Sequence, residues 1–345
     1  MLRLTETRGG LAPDGGPWSN LRWGRLQTID DRHFSLVAEL LSDGEVIPFL
    51  GAGANLCDRP DEASWEPGRF PPSGSELALT LAERSRYPGS DGPDLLRVSQ
   101  YVEAILGEGQ LYRYLHAVFD ANYPPSSVHR LLARLPALLR ERGRLQLVIL
   151  TTNYDDLAER ALAEAGERFD VVWYEAKRGP LQGVFLHRAP DGSVVAIERP
   201  NKYTGLALAE RPVVLKLHGA IDRVDSKRDS YVITEDSYID YLAGRDVGNQ
   251  IPFSLRERMA DSHFLFLGYS MRDWNLRVIL SRLWGAQQLD LKSWAVQREP
   301  ASSGAREVEE ALWRDRGDVD LLYAPLKEYI EGLTRELPDG GRPAS

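Results

Sequence analysis

Four short apolar segments of this sequence are each followed at once by small or polar residues whose types could do chemistry. The first segment ends in glycines, which remove side chains where the backbone turns and leave N–H groups able to hold phosphate oxygens. The second and third lead into an asparagine and a histidine, which can orient groups and transfer protons near neutral pH. The segments are Leu50-Gly-Ala-Gly-Ala-Asn55, Leu150-Thr-Thr-Asn-Tyr-Asp155, Leu217-His-Gly-Ala220 and Leu267-Gly-Tyr-Ser-Met-Arg-Asp273.

The apolar runs before these residues are typical of strands buried on both faces of a parallel sheet. Helical patterns lie between them near 237–243, 252–259, 274–285 and 304–315, and this alternation predicts an α/β fold with a Rossmann-like, doubly wound, mostly parallel sheet. The carboxyl ends of such strands converge on one crevice, so we expect a single binding site there. The predicted strands span 46–50, 147–150, 169–174, 213–217, 264–267, 294–296 and 321–323.

Around this sheet the sequence predicts further segments. A mainly helical pattern over about 75–142 indicates an inserted helical lobe. The Pro- and Gly-rich loop at 56–72 is too long for a plain connector and is typical of a lid or binding loop. Residues 1–26 are interpreted as an N-terminal arm, 27–336 as the main domain and 337–345 as a disordered tail. A hairpin is predicted at Asp191-Gly192.

Composition limits the classes of function. The 345 residues carry a net charge of −9, which disfavours a general nucleic-acid binder. The single cysteine, Cys57, excludes an internal disulfide and a cysteine-rich zinc site and fits a reducing cytoplasm. No segment has the apolar length of a membrane span or a signal peptide, so a cytoplasmic protein is expected. The other histidines show no metal-ligand spacing, and no metal site is predicted.

Taken together, the four strand ends resemble the sirtuin-like family, and in particular the bacterial sirtuin-like NAD-hydrolysing proteins of antiphage defence. The matching stretches are Gly51-Ala-Gly53, Thr152-Asn-Tyr-Asp155, His218-Gly219 and Gly268-Tyr-Ser270. The resemblance implies a Rossmann-like domain that binds NAD, with Asn153 and His218 as the catalytic pair. The NAD site is then expected to comprise Gly51, Ala52, Gly53, Asn55, Thr152, Asp155, Gly268, Ser270 and Asp273.

Other interpretations of several of these residues remain open. A strand-to-helix turn that binds nothing also favours glycine, and His218 could simply cap backbone groups at a strand end. Asp273 either contacts the ribose or adenine of NAD or caps the helix that follows it. Asp155 could bond the nicotinamide carboxamide or balance developing positive charge.

The sequence also departs from the family's deacetylases, which hold zinc on four cysteines. With Cys57 alone that module cannot be present in the same form, so protein deacylation is disfavoured. Cleavage of the nicotinamide bond of NAD needs no general acid, because nicotinamide leaves as a neutral molecule. We therefore predict an NAD glycohydrolase that yields nicotinamide and ADP-ribose. The alternative is a module that senses NAD or ADP-ribose without turning it over.

A constitutive NAD hydrolase would be toxic to its own cell, so its activity must be restrained. The resemblance implies control by assembly, through homo-oligomers and through a separately encoded partner such as a HerA-type ATPase. The lobe at 75–142, the arm at 1–26 and the loop at 56–72 are the segments available to mediate it.

Overall fold

The computed structural model describes residues 29–89, 92–243, 247–270, 279–280, 283, 289–300, 302–314 and 317–338. Helices and strands alternate along most of this chain. The helices are α1 (Asp31–Ser42), α2 (Ala52–Asn55), α3 (Gly74–Ser85), α4 (Leu95–Leu106), α5 (Glu108–Phe119), α6 (Ser127–Glu141), α7 (Leu157–Glu164), α8 (Glu235–Ala243), α9 (Val247–Gln250), α10 (Phe253–Ala260), α11 (Ser303–Arg314) and α12 (Leu326–Glu336), with short 3₁₀ turns at Pro200–Lys202 and Ser226–Arg228. The strands are β1 (Val46–Leu50), β2 (Val148–Thr151), β3 (Asp170–Tyr174), β4 (Phe185–Arg188), β5 (Val194–Ala196), β6 (Val213–Lys216), β7 (Gly219–Ala220), β8 (Ser230–Tyr231), β9 (His263–Leu267), β10 (Leu289–Gln297) and β11 (Gly317–Tyr323).

Nine strands form one sheet in the order β11-β10-β9-β1-β2-β6-β3-β4-β5. Strand β1, which the glycine turn Gly51-Ala-Gly53 follows, is therefore a central strand of the sheet. Its residue Phe49 lies opposite Leu150 of β2 and Phe266 of β9. Strand β6 is inserted between β2 and β3, and all pairings from β11 to β3 are parallel. The hairpin β4–β5 extends the edge in antiparallel fashion, with its turn at Asp191-Gly192. The predicted doubly wound, mostly parallel sheet is confirmed.

Helices cover both faces of this sheet. Alternate residues of β1 point to opposite faces, so Val46 and Leu50 join one core cluster while Ile47 and Phe49 join the other. The first cluster includes apolar side chains of α1, α6, α7 and α12, and the second includes those of α8, α9 and α10. Because both faces are buried, β1 is a continuous apolar run, as the sequence indicated.

A third core belongs to helices α3, α4 and α5, through side chains such as Leu81, Val98 and Leu115. Ile221 and Tyr231, which follow β6, pack into the same cluster. Helix α6 instead buries its apolar face in the core beneath the sheet. The segment 75–142 thus contributes three helices to a separate core and a fourth to a layer of the sheet.

Several predicted segments fall outside the described residues. The arm at 1–26 does so entirely, as does most of the helix expected near 274–285 and of the tail at 337–345. Residues 279, 280 and 283 of that helix are described, and they are helical.

The loop at 56–72 is held against the start of α3 by one carboxylate. Glu76 accepts two hydrogen bonds from the Arg59 guanidinium, at 2.8 and 2.5 Å, and one from the backbone N–H of Trp65 at 2.6 Å. It also accepts from the N–H and the hydroxyl of Ser73, and the Ser73 hydroxyl accepts from the N–H of Glu76, so that the two residues form a capping box. The Arg59 bonds, followed by those of Ser73 and Trp65, overcome the effect of burial and lower the pKa of Glu76 to about 2.

We expect Glu76→Gln to lower the free energy of unfolding at pH 7 by about 1–3 kcal/mol, because a charge-assisted, bidentate ion pair is lost. A carboxylate with a depressed pKa stabilises the fold above its unfolded-state pKa. The difference from the wild-type protein should therefore shrink as the pH falls from about 5 toward 2. Denaturant unfolding across this pH range measures it.

The matched control for this experiment is Glu66→Gln in the same loop. Glu66 pairs with Arg69 at 3.0 Å, but both side chains are more than half exposed. This substitution should change the free energy of unfolding by less than about 0.5 kcal/mol at any pH. Equal effects of the two substitutions would contradict the role given to Glu76.

Candidate active site

The glycine turn after β1 is bound to the end of β9. The N–H of Gly51 donates to the Leu267 carbonyl at 3.0 Å, and the N–H of Gly53 donates to the Gly268 carbonyl at 2.9 Å. A Cβ atom at Gly51 or at Gly53 would lie 2.8 Å from the Gly268 carbonyl oxygen. Close packing of backbone on backbone therefore requires these glycines, whether or not a ligand is bound.

Gly268 is the most constrained residue of this contact. Its φ of +76° lies in the left-handed region, and a Cβ there would lie 2.0 Å from the backbone nitrogen of Ala54 and 2.5 Å from the carbonyl carbon of Gly53. We expect Gly268→Ala to lower the free energy of unfolding by about 3 kcal/mol or more, since both backbone strain and a steric clash are introduced. Urea unfolding measures the loss.

Gly143→Ala separates the two causes, because Gly143 has a φ of +65° and no atom of the described residues lies within 4 Å of the added Cβ. Strain alone should cost about 1 kcal/mol there. If Gly268→Ala lowers the free energy of unfolding no more than Gly143→Ala does, the residues at the contact between β9 and the glycine turn can move apart to make room for a Cβ atom.

Asn153 follows β2 and lies directly against the glycine turn. Its side-chain N–H₂ group donates to the Gly51 carbonyl at 3.0 Å and to Oδ1 of Asn55 at 3.1 Å. The amide of Asn55 in turn donates to Asp155 at 2.6 Å, and the other oxygen of Asp155 accepts from the backbone N–H of Leu157 at 3.1 Å. Four of the residues predicted for the site, Gly51, Asn55, Asn153 and Asp155, are thus joined in one hydrogen-bonded network.

This network fixes which way the Asn153 amide faces. Both of its N–H bonds go to oxygen acceptors, so the amide nitrogen and oxygen cannot exchange places without losing them. Oδ1 of Asn153 accepts no hydrogen bond within the described part of the chain. The side chain is only 9% exposed, and its oxygen is the group available to a ligand or a water molecule.

His218 lies two residues beyond β6 and is buried between aromatic rings. The rings of Tyr238 and Tyr241 on α8 meet it edge to face, with centroids 5.3 and 5.4 Å away. Its Nδ1 lies 3.4 Å from the Tyr238 hydroxyl, while Nε2 is buried and has no hydrogen-bond partner among the described residues. Burial lowers the pKa of His218 to about 3, so the imidazole is neutral at physiological pH.

Asn153 and His218 occupy the same edge of the sheet. They leave the adjacent strands β2 and β6, and the N–H of Leu217 still donates to the Thr151 carbonyl at 2.9 Å beside them. Within the described residues no hydrogen bond joins the two side chains, since Asn153 contacts the glycine turn and His218 contacts α8.

The other residues predicted for the site differ in their contacts and exposure. Thr152 hydrogen-bonds the hydroxyl of Tyr269 at 2.7 Å, which ties the end of β2 to the residue after Gly268. Ala52 and Ser270 are exposed at the same edge. Asp273 lies outside the described residues, so its two interpretations remain as the sequence left them.

Sequence reasoning missed the residues that surround this pair. Tyr238 and Tyr241 lie on a helix predicted only by its pattern, and nothing in that pattern points to His218. Lys216 carried a usable signal, because a lysine within an apolar strand that is buried on both faces must find a partner. The structure gives it one: Nζ lies 2.9 Å from Glu159.

A separate hollow lies between α4, α5 and α8. Its walls include Glu103, Glu108, Tyr112, Ser237 and Arg178, and Arg178 is paired to Glu103 at 3.1 Å. Neither Asn153 nor His218 lines it. The described residues contain no group of three or more His, Cys, Asp or Glu side chains placed to hold a metal ion. None of the helices described has the length and apolarity needed to cross a lipid bilayer.

The sheet, the glycine turn and the polar strand ends define a Rossmann-like α/β domain of the sirtuin type. Comparison with protein families agrees, because the family described as "SIR2-like domain" matches residues 147–318, which include Asn153, His218 and Gly268. The chain belongs to this SIR2-like family.

Curated relatives extend the similarity across the glycine turn. The chain is 27% identical over 301 residues to NAD(+) hydrolase ThsA of Enterococcus faecium, an alignment that covers 86% of this chain and 52% of that protein. It is 27% identical over 232 residues to NAD(+) hydrolase ThsA of Cytobacillus dafuensis, covering 67% and 37%. It is 24% identical over 310 residues to Defense-associated sirtuin 2 of Bacillus subtilis, covering 85% and 26%. The chain thus spans about half the length of these relatives, or less.

Proposed function

We propose that this protein is an NAD glycohydrolase that cleaves NAD to nicotinamide and ADP-ribose in antiphage defence. The SIR2-like family and the names of the relatives support the class of substrate and reaction. The observation that carries the proposal is a pair of polar atoms at one edge of the sheet that accept no hydrogen bond from any described residue. These are Oδ1 of Asn153 beside the glycine turn and the buried Nε2 of His218.

The reaction needs few protein groups. The bond between the ribose C1′ and the nicotinamide nitrogen breaks with its electron pair going to nicotinamide, which leaves neutral. A water oxygen then bonds to the positively charged C1′, and its proton must be taken up. Asn153 Oδ1 accepts a hydrogen bond from that water or from a ribose hydroxyl and so orients it. Asp155 lies behind Asn55 and adds negative charge near the cationic centre.

His218 accepts the proton in this scheme. If Nδ1 carries the ring hydrogen and donates it to Tyr238, then Nε2 carries the lone pair that can accept the proton. Because the surroundings of His218 are apolar, the imidazolium formed is a strong acid and returns its proton to solvent readily. The aromatic rings of α8 hold the imidazole in one orientation.

The direct test is product analysis on purified protein. The protein is incubated with NAD, and nicotinamide and ADP-ribose are quantified by chromatography while calorimetry measures binding in the same sample. Equal amounts of both products support the proposal. Tight NAD binding without release of nicotinamide, under conditions that include the assembled protein, would instead indicate a sensor. Turnover that requires an acylated peptide would indicate a deacylase.

We further propose that assembly controls this activity. The relatives are longer than this chain, and free hydrolysis of the cytoplasmic NAD pool would harm the host cell. Assembly would proceed as a homo-oligomer, alone or with a separately encoded protein such as a HerA-type ATPase. Light scattering of the protein alone and with a candidate partner, combined with NAD turnover in each fraction, tests this. A monomer that turns NAD over at full rate, unaffected by concentration or partner, would refute it.

A further inference from the structure

A buried ion pair lies directly behind the Asn153 network. Lys216, at the end of β6, is 1% exposed, and its Nζ donates to Glu159 of α7 at 2.9 Å. The same Nζ donates to the backbone carbonyl of Asp155. Lys216 therefore ties three elements together: β6, α7 and the loop that connects β2 to α7.

A gain in folding stability does not explain why the ion pair of Lys216 and Glu159 is present. Removing two charges from water is costly, and well-packed apolar side chains in place of a buried ion pair are often neutral or stabilising. Here the compensation is incomplete, because the second oxygen of Glu159 is buried without a partner among the described residues. The pair must contribute something other than free energy of folding.

What it contributes is a fixed main chain at Asp155. This residue has three anchors: Lys216 on its carbonyl, and Leu157 and Asn55 on its carboxylate. Oδ1 of Asn55 in turn accepts a hydrogen bond from the Asn153 amide, which also donates to the Gly51 carbonyl. Lys216 thus acts on Asn153 through two neighbours, Asp155 and Asn55, and it does so from the end of the strand that leads into His218.

We propose that Lys216, with Glu159 as its counter-ion, is a positioning residue that sets the geometry of Asn153 relative to His218. It does so by fixing the Asp155 carbonyl, and neither residue touches the substrate. This proposal rests on the proposed function for its kinetic consequence, but the order that Lys216 imposes on residues 152–157 can be measured without turnover.

The test is the double variant Lys216→Met/Glu159→Leu, which removes both charges and leaves neither unpaired. Its thermal midpoint should stay close to the wild-type value or exceed it. Its kcat should nevertheless fall by about 10- to 100-fold with KM changed less than about threefold, since Asn153 is misplaced in the transition state while most NAD contacts persist. Hydrogen exchange of the amides of Asn153 and Leu157 should accelerate at least about tenfold.

Two further variants separate positioning from folding. Glu159→Gln keeps an acceptor for Lys216 and leaves the Asp155 contact in place, so the protein should be less stable but retain kcat in its folded fraction. Arg142→Met/Asp43→Leu removes an exposed ion pair, 2.8 Å between its atoms, and should change neither kcat nor exchange.

The double variant decides the proposal. Wild-type kcat together with unchanged exchange at residues 152–157 would overturn it, as would loss of kcat in Glu159→Gln equal to that in the double variant. If the wild-type protein turns over no NAD, the proposed function fails instead. The exchange rates then still decide whether Lys216 orders the loop.

Discussion

Replacing His218 by alanine is expected to lower kcat for NAD cleavage by about 10²- to 10⁴-fold, the range over which a general base contributes. The free energy of unfolding should fall by no more than about 1–2 kcal/mol. The reason is that, among the described residues, the His218 side chain makes a single long hydrogen bond, to Tyr238, and its Nε2 has no partner. Single-turnover kinetics and urea unfolding of the same preparation measure both quantities.

His187 supplies the matched control, because it is an equally buried histidine with both ring nitrogens bonded. One nitrogen lies 3.1 Å from Asp170 and the other 2.5 Å from the Tyr203 hydroxyl. His187→Ala should destabilise the protein by about 2–4 kcal/mol, since the Asp170 carboxylate loses a partner. Folded His187→Ala should keep its kcat. If His218→Ala cleaves NAD at the wild-type rate, the assignment of His218 as the base is wrong.

The buried state of His218 also predicts the pH dependence of the reaction. Its pKa of about 3 means that the neutral, proton-accepting form persists down to well below pH 5. The value of kcat/KM should therefore show no fall between pH 8 and pH 5 with a midpoint near the ordinary histidine pKa of about 6.5. A fall with that midpoint would show that His218 becomes exposed in the working enzyme.

Replacing Asn153 by alanine or aspartate is expected to have the second large effect. Asn153→Ala removes the oxygen that orients water or a ribose hydroxyl and should lower kcat by about 10²-fold or more. Asn153→Asp keeps an oxygen there but places a carboxylate against the Gly51 carbonyl and Asn55 Oδ1, both of which are acceptors. This variant should lose free energy of unfolding as well as activity, by about 2–3 kcal/mol.

Asn201→Ala is the corresponding control, because Asn201 is an exposed asparagine whose oxygen accepts from Arg256. Neither kcat nor the free energy of unfolding should change appreciably. Comparison of product formation with thermal unfolding for all three variants separates a catalytic role of Asn153 from a structural one. Wild-type kcat in Asn153→Ala would show that the amide only holds the glycine turn.

The strand ends could be predicted from sequence because buried parallel strands are apolar on both faces, and the polar residue that breaks each run is conspicuous. This is how Gly51, Asn153 and His218 came to be placed at one edge of the sheet. The lateral order of the strands could not be predicted. No local sequence pattern indicates that β6 lies between β2 and β3. This strand order nevertheless brings the residues after β6, including His218, next to the end of β2 and Asn153.

The immediate surroundings of the site were beyond sequence reasoning for a related reason. Tyr238 and Glu159 have ordinary helical positions, and their importance comes from partners roughly 20 and 57 residues distant in the chain. Patterns of hydrophobicity encode which face of a helix is buried. They do not encode which side chain of another element it meets.

The pairing of β1 with β9 has a consequence for synthesis of the protein. Gly268 leaves the ribosome roughly two hundred residues after Gly53, which corresponds to roughly 10–40 s at translation rates of ~5–20 residues per second. Until then the nascent chain has an unpaired edge at Val46–Leu50, a flat apolar strand open to other chains. It also has no backbone against which the glycine turn can close. An incomplete chain therefore cannot close the glycine turn against β9, and the proposed site can form only after most of the chain has been made.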